Sequence, residues 1–295
     1  IKLVCTIVPI VLLIIAIYFV LVRNEIIILS KAKLSLESQN YAEDISTWTK
    51  SVLQEMTIYK TMAQQLGFDK EATYKMLETS AGTHDAYPYG LYMGDEKGNY
   101  YDSSGWVPDD DFVVTERDWY KEGLKHDTFT FGEPYVDAMT GSTCVSVTAR
   151  LEDDSTIRVL AADVYLDYAA QLVEEVTANE IECALFVTKD SRLIVADSNA
   201  AMTGKILSTE NDSLLYQNIS CLLDTETTGL FEVPGDGNGH YFVNVSTIEN
   251  TGWYFVTCMN RAVVMQNLKR IEIPMLMVAV AAALLLFAVT SKFSR

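Results

Sequence analysis

The chain has 295 residues, 49% of them hydrophobic, and a formal net charge of −18. That length suffices for two modest folded units or one large one. So acidic a chain speaks against nucleic acid and anionic lipid as partners of its polar part, because phosphates are repelled.

The first element is the run Leu3–Val22, which carries no charged residue. As a helix rising ~1.5 Å per residue it is roughly 30 Å long, the thickness of a bilayer core. A cleaved signal peptide is the alternative. The run exceeds the usual ~7–15 apolar residues of such a leader, and "AIYFVLVRNE" offers no A-x-A cleavage site, so an uncleaved anchor is expected. A second uncharged run, "IPMLMVAVAAALLLFAVT" at 273–290, reads as another transmembrane helix. Two spans put both ends on one side and residues 23–272 on the other. Lysine and arginine are too evenly divided to orient them, so the extracytoplasmic placement of 23–272 is an expectation from architecture. The chain opens without methionine and stops shortly after the second run, and is expected to be an excerpt of a longer one.

Beyond the first span, Tyr41, Ile45, Trp48, Val52, Met56, Tyr59, Met62 and Leu66 recur at steps of three or four. This predicts a long amphipathic helix, starting near Ser30 or running straight out of the membrane and ending at Gly67. Its stripe packs on its own domain, and the membrane-proximal turns are a candidate dimer seam. A second helix is expected before residue 83.

From Tyr87 the period changes. "YPYGLYMGDEKGNYYDSSG" predicts a hairpin about "DEKGN"; a short helix follows at Glu116–Leu124, then three strands joined by "MTGS" and "EDDS", five strands in a meander-like order. A helix over Tyr165–Thr177 closes the unit. The same order then recurs: a hairpin in "ECALFVTKDSRLIVADS", a helix over Glu210–Leu223, three strands, and a last helix from about Arg261 into the second span. The predicted fold is α+β, two five-stranded antiparallel sheets strung on a long N-terminal helix and flanked by two transmembrane helices.

Few motifs carry chemistry. Of five cysteines, Cys5 lies in the first span; Cys144, Cys183, Cys221 and Cys258 show no C-x-x-C spacing and are either buried free thiols or paired. His84, His126 and His240 have no metal-ligand spacing, and no metal or cofactor is expected. "PDDD" at 108–111 reads as an exposed acidic turn and "GDGNG" at 235–239 as a hairpin turn. No nucleophile–base set occurs in recognisable context, so no enzyme is expected in this region.

One cluster stands out, Arg117, Trp119 and Tyr120 within "TERDWYKEG". Either Arg117 pairs with a nearby acid while the aromatics fill the core, or its guanidinium holds a ligand carboxylate by two parallel hydrogen bonds between aromatic walls. An amino acid would need a second, acidic pole. Tyr135 and Asp137 alternate on one strand and so share a face. Asp163 follows the apolar run "VLAA", where it is either a helix N-cap or a buried functional acid; Asp137 either opens the "DAMTGS" turn or faces the same site.

With these residues the chain resembles the double Cache (dCache) sensor domains of bacterial chemoreceptors, sensor kinases and cyclic-di-GMP enzymes, whose modules are PAS-like. The resemblance covers nearly the whole length. It implies spans at 3–22 and 273–290, a helical scaffold at 23–83, a membrane-distal ligand-binding module at 84–178, a proximal module at 179–260 and a connecting helix at 261–272. It also implies a homodimer and cytoplasmic signalling partners reached through a segment beyond Arg295. The implied ligand is a small molecule, an amino acid or related amine or carboxylate. Arg117 and Trp119 would hold the carboxylate, and Tyr135 and Asp163 the amine, with Tyr120 and Asp137 as further contacts. Phe112, five positions before Arg117, stands where the amino-acid pattern has tyrosine. The rival outputs are a chemoreceptor coiled coil, a diguanylate cyclase and a histidine kinase; a protein-binding ectodomain with no small ligand is the remaining alternative.

Overall fold

The structure, a computed structural model, describes residues 2–102, 104–137, 139–152, 156–178 and 181–293. Most of the expected "EDDS" turn, at 153–155, lies outside the described residues.

Helix α1 is continuous from Lys2 to Gln65, so the first apolar run and the amphipathic stretch are one rod. Its buried seam runs through Leu34, Ile45, Val52, Met56 and Ala63, all fully buried, with Tyr41, Trp48 and Tyr59 packed beside it. Met62 and Leu66, expected on this seam, are 39% and 40% exposed. At ~100° per residue Met62 sits roughly 120° round the helix from Met56, whereas Ala63 returns to the same side. The rod ends in a Schellman motif. Gly67 takes φ +59°, a left-handed conformation that suits glycine, and the amides of Phe68 and Gly67 close on the carbonyls of Ala63 (3.4 Å) and Gln64 (3.1 Å). Helix α2 (Lys70–Ser80) then starts with Asp69 accepting from the Ala72 amide at 2.9 Å.

The first sheet comprises β1 (Leu91–Asp95), β2 (Tyr100–Asp102), β3 (Thr130–Val136), β4 (Thr143–Glu152) and β5 (Ile157–Tyr165), with helix α3 (Asp118–Gly123) between β2 and β3. Its order is β2-β1-β5-β4-β3, antiparallel throughout. The expected meander holds only for β3–β5. The β2–β3 connection carries α3 across one face, so the last strand, β5, inserts beside β1 at the centre. After α4 (Asp167–Thr177) the second sheet repeats the plan with β6 (Cys183–Thr188), β7 (Ile194–Asp197), β8 (Gly229–Pro234), β9 (His240–Ile248) and β10 (Trp253–Asn260), in the order β7-β6-β10-β9-β8, with α5 (Leu214–Asp224) between β7 and β8. Sequence shows no repeat because the two sheets share strand order and not side chains.

Alternation sorts each strand. In β5, Leu160, Ala162 and Val164 enter the large core against α1, whereas Val159 and Asp163 face the other way; Asp163 is paired opposite Ser146 of β4. The two sheets share that core, and Phe131 of β3 meets Trp253 of β10 edge to face at 5.7 Å. Helix α6 (Arg261–Phe293) follows β10 directly and contains the second apolar run. Among the described residues one segment, Pro9–Gln65, is long and apolar enough to cross a membrane by length and composition. Part of the 273–290 run falls on residues whose side chains lie outside those described.

Candidate functional site

A cavity of about 90 Å3 lies over the outer face of the first sheet. Its floor is polar. Tyr92 of β1 and Tyr135 of β3 donate to Asp163 Oδ1 at 2.5 and 2.6 Å, and Ser146 Oγ lies 3.2 Å from the same oxygen. Oδ2 takes no donor among the described residues, which leaves one carboxylate oxygen free to accept. Burial raises the Asp163 carboxyl above the ordinary aspartate range, although the tyrosine hydroxyls pull it back. Asp163 lies inside β5, and the N-cap of α4 is Leu166, so the N-cap alternative does not hold.

The opposite wall comes from the segment ahead of α3. Arg117 is extended (φ −71°, ψ 142°) at the N-cap position, so "TERDWYKEG" is a 3-10 turn over Val114–Glu116 followed by a helix from Asp118. Trp119 and Tyr120, ~100° apart on the helix, diverge. Trp119 borders the cavity edge to face with Tyr92 at 4.9 Å. Tyr120 is 1% exposed among Val114 and Val159 and does not line the cavity, which corrects its expected placement. Gly94 permits this docking: a Cβ there would sit 2.4 Å from Val114 Cγ1 and 2.8 Å from the Trp119 ring.

The Arg117 guanidinium lies over the Phe112 ring, 5.1 Å from its centroid, and pairs with no carboxylate among the described residues. Phe112 in turn packs against Tyr100 and Trp106, both at 5.3 Å. The cavity thus has a cationic rim, an anionic floor and aromatic walls.

Asp137 borders the cavity but its oxygens are largely used. The Met139 amide, the Thr140 amide and hydroxyl, and the Tyr165 hydroxyl donate to it at 3.2, 2.9, 2.6 and 2.9 Å. Burial opposes its charge, yet these bonds outweigh burial and hold the carboxyl below the ordinary range. Both sequence alternatives for Asp137 meet in one residue: it staples the turn and lines the site.

Six of the seven expected residues, Phe112, Arg117, Trp119, Tyr135, Asp137 and Asp163, border this cavity, and Tyr120 does not. Sequence reasoning missed Tyr89, Tyr92, Tyr100, Asp102, Trp106 and Tyr165, which also line it. Strand β1 is buried on both faces, so alternation gave no sign of which way Tyr92 points. A wider cleft of about 600 Å3 between α1 and β8–β9 offers Glu43, Lys50 and Glu249 on an open face, with no aromatic wall among the described residues.

Two α+β modules of the same strand order, the first with opposed charges around its cavity, define a double-module architecture. Residues 22–268 match the Cache domain model dCache_1, and the chain belongs to that family. The ligand-binding domain of Mlp24 with asparagine superimposes with a TM-score of 0.67 at 21% identity, covering 84% of this chain and 99% of that one. The ligand-binding domain of the Pseudomonas fluorescens chemoreceptor CtaA with L-isoleucine gives 0.65 at 21% identity, covering 83% and 98%. At these identities the likeness concerns the fold. The methyl-accepting chemotaxis protein McpG of Pseudomonas putida is 24% identical over 170 residues, 56% of this chain; the match spans a quarter of McpG.

Proposed function

We propose that this chain is the sensory region of a membrane receptor of the methyl-accepting chemotaxis type and binds a free amino acid in the cavity of the first sheet. The observation that carries the reading is the opposition of two poles: Arg117, unpaired among the described residues, and Asp163, with Oδ2 left open, across walls of Trp119, Tyr92 and Tyr100. A guanidinium fits a carboxylate by paired hydrogen bonds, and a buried carboxylate needs a cation to stay charged, so an α-amino zwitterion satisfies both ends. Solved relatives of the same fold hold asparagine, L-isoleucine and GABA.

In this reading residues 3–22 and 273–290 cross the membrane, 23–272 face outward, 84–178 form the binding module and 179–260 pass its state to α6. Two chains pair along α1, output lies in a segment after Arg295, and the region is a binder and not an enzyme. A ligand shifts such a receptor only as far as its affinities for the two states differ. Titrating the full chain in detergent with amino acids, amines and organic acids, by calorimetry and thermal shift, tests the reading. An amino acid should bind, and Arg117→Ala should weaken it by roughly 10- to 100-fold, the worth of a charge-assisted hydrogen bond or two. Undiminished binding in that variant would refute the carboxylate assignment.

A further inference from the structure

Four cysteines outside the first span left several pairings open, and the fold selects one. Cys183 begins β6 and Cys258 lies on β10, directly opposite in the ladder, with their sulfurs 2.7 Å apart, closer than two unbonded sulfurs pack. Directly opposed side chains on antiparallel strands have Cβ atoms about 4.5–5.5 Å apart, within reach of disulfide geometry after a small adjustment. Cys144, buried opposite Tyr165, and Cys221, exposed on α5, have no sulfur partner among the described residues.

We propose that Cys183 and Cys258 form a dithiol/disulfide couple that covalently joins the strands β6 and β10, 75 residues apart, in the second sheet. The site lies beside the strand that continues into α6, and Cys258 is three residues before the helix begins at Arg261. The bond therefore clasps the joint between sheet and helix. Its native oxidation rests on the extracytoplasmic placement proposed above, since disulfides persist in oxidising compartments.

The chemistry is two exchanges with a small-molecule disulfide such as oxidised glutathione. Cys183 is half-buried and Cys258 fully buried, so Cys183 attacks first. Its thiolate displaces one glutathione thiolate and forms a mixed disulfide. The Cys258 thiolate then attacks the Cys183 sulfur, the Cys183–Cys258 bond forms, and the second glutathione leaves. Two electrons pass to the glutathione disulfide, and two protons leave the protein thiols to give two glutathione thiols. Contact with Cys258 and burial hold the Cys183 thiol well above its ordinary pKa, so exchange in the folded chain is slow at neutral pH and faster in alkali.

The test equilibrates the full 295-residue chain in detergent with glutathione buffers at mildly alkaline pH, then alkylates, digests and weighs the peptides. The expected product is a single linkage between the Cys183 and Cys258 peptides, two hydrogens lighter than the reduced pair, with Cys144 and Cys221 alkylated. Reduction should lower Tm by about 5–10 °C, and Cys183→Ser should abolish that difference. Recovery of Cys183 as an alkylated thiol or glutathione adduct under oxidising buffer, or linked to Cys144 or Cys221, would overturn the proposal. Alkylating cells before lysis separates it from the functional reading. A pair found reduced in cells but forming the bond in vitro supports the couple while contradicting the extracytoplasmic placement.

Discussion

The Tyr135 hydroxyl donates to Asp163 Oδ1 at 2.6 Å, and because Tyr92 reaches the same oxygen from the other flank at 2.5 Å, the carboxylate is held between two strands. Tyr135→Phe removes one donor to a buried acid, and a hydrogen bond to a charged group contributes about 1.5–3 kcal/mol. Amino-acid binding should weaken at least tenfold. Asp163→Asn keeps the shape and loses the charge; its Tm without ligand should match or exceed the parent's, while binding is lost. Calorimetry and thermal melts on the two variants check this.

Binding should be sensitive to acid. The Asp163 carboxyl is raised by burial, so it takes up a proton at a higher pH than an exposed aspartate, and the neutral acid no longer attracts an ammonium. Affinity for an amino acid should fall as pH is lowered through that raised range. In Asp163→Asn any residual affinity should be flat there.

Stability carries a second pH signature. Asp197 is buried, accepts Tyr216 at 3.1 and 2.9 Å through its two oxygens, and is pushed by burial from 3.8 to about 6. The folded state therefore binds the proton more tightly than the unfolded chain. Its contribution is full below about pH 4 and is lost as pH rises through 6, with a slope of at most about 1.4 kcal/mol per pH unit. Asp197→Asn should remove this component from the pH dependence of Tm.

Gly94→Ala should damage fold and site together. The added methyl would meet Val114 and Trp119 well inside contact distance, forcing α3 off the sheet. Overpacking of this kind costs about 1–3 kcal/mol. Lower Tm with reduced ligand affinity is expected; an unchanged Trp119 fluorescence spectrum and affinity would refute it.

Glu232 of β8 bridges Lys31 of α1 at 3.3 Å and Arg261, the first residue of α6, at 2.5 Å. These groups are each about one-third exposed, so Glu232→Ala should cost no more than about 1 kcal/mol. It unties α1 from the start of α6. A receptor carrying it should bind ligand normally with a shifted baseline output, measured as signalling in cells.

Much of this was legible without coordinates. The uncharged run at 3–22, the steps of three and four from Tyr41 to Tyr59 and the turn-bounded runs after Tyr87 are local patterns, and each follows from the period of one element. Residue type only permitted Arg117, Asp163 and their neighbours to be ligand contacts, beside structural alternatives, and the resemblance to the dCache pattern tipped the choice. What only the tertiary structure decided is which side chains meet. Insertion of β5 beside β1 brings Tyr92 to Asp163 from 71 residues away; the turn ahead of α3 sends Trp119 to the cavity and Tyr120 to the core; the β6–β10 register puts Cys183 on Cys258. Strand order and register arise from long-range packing and ladder hydrogen bonds, which leave no period in the chain to read.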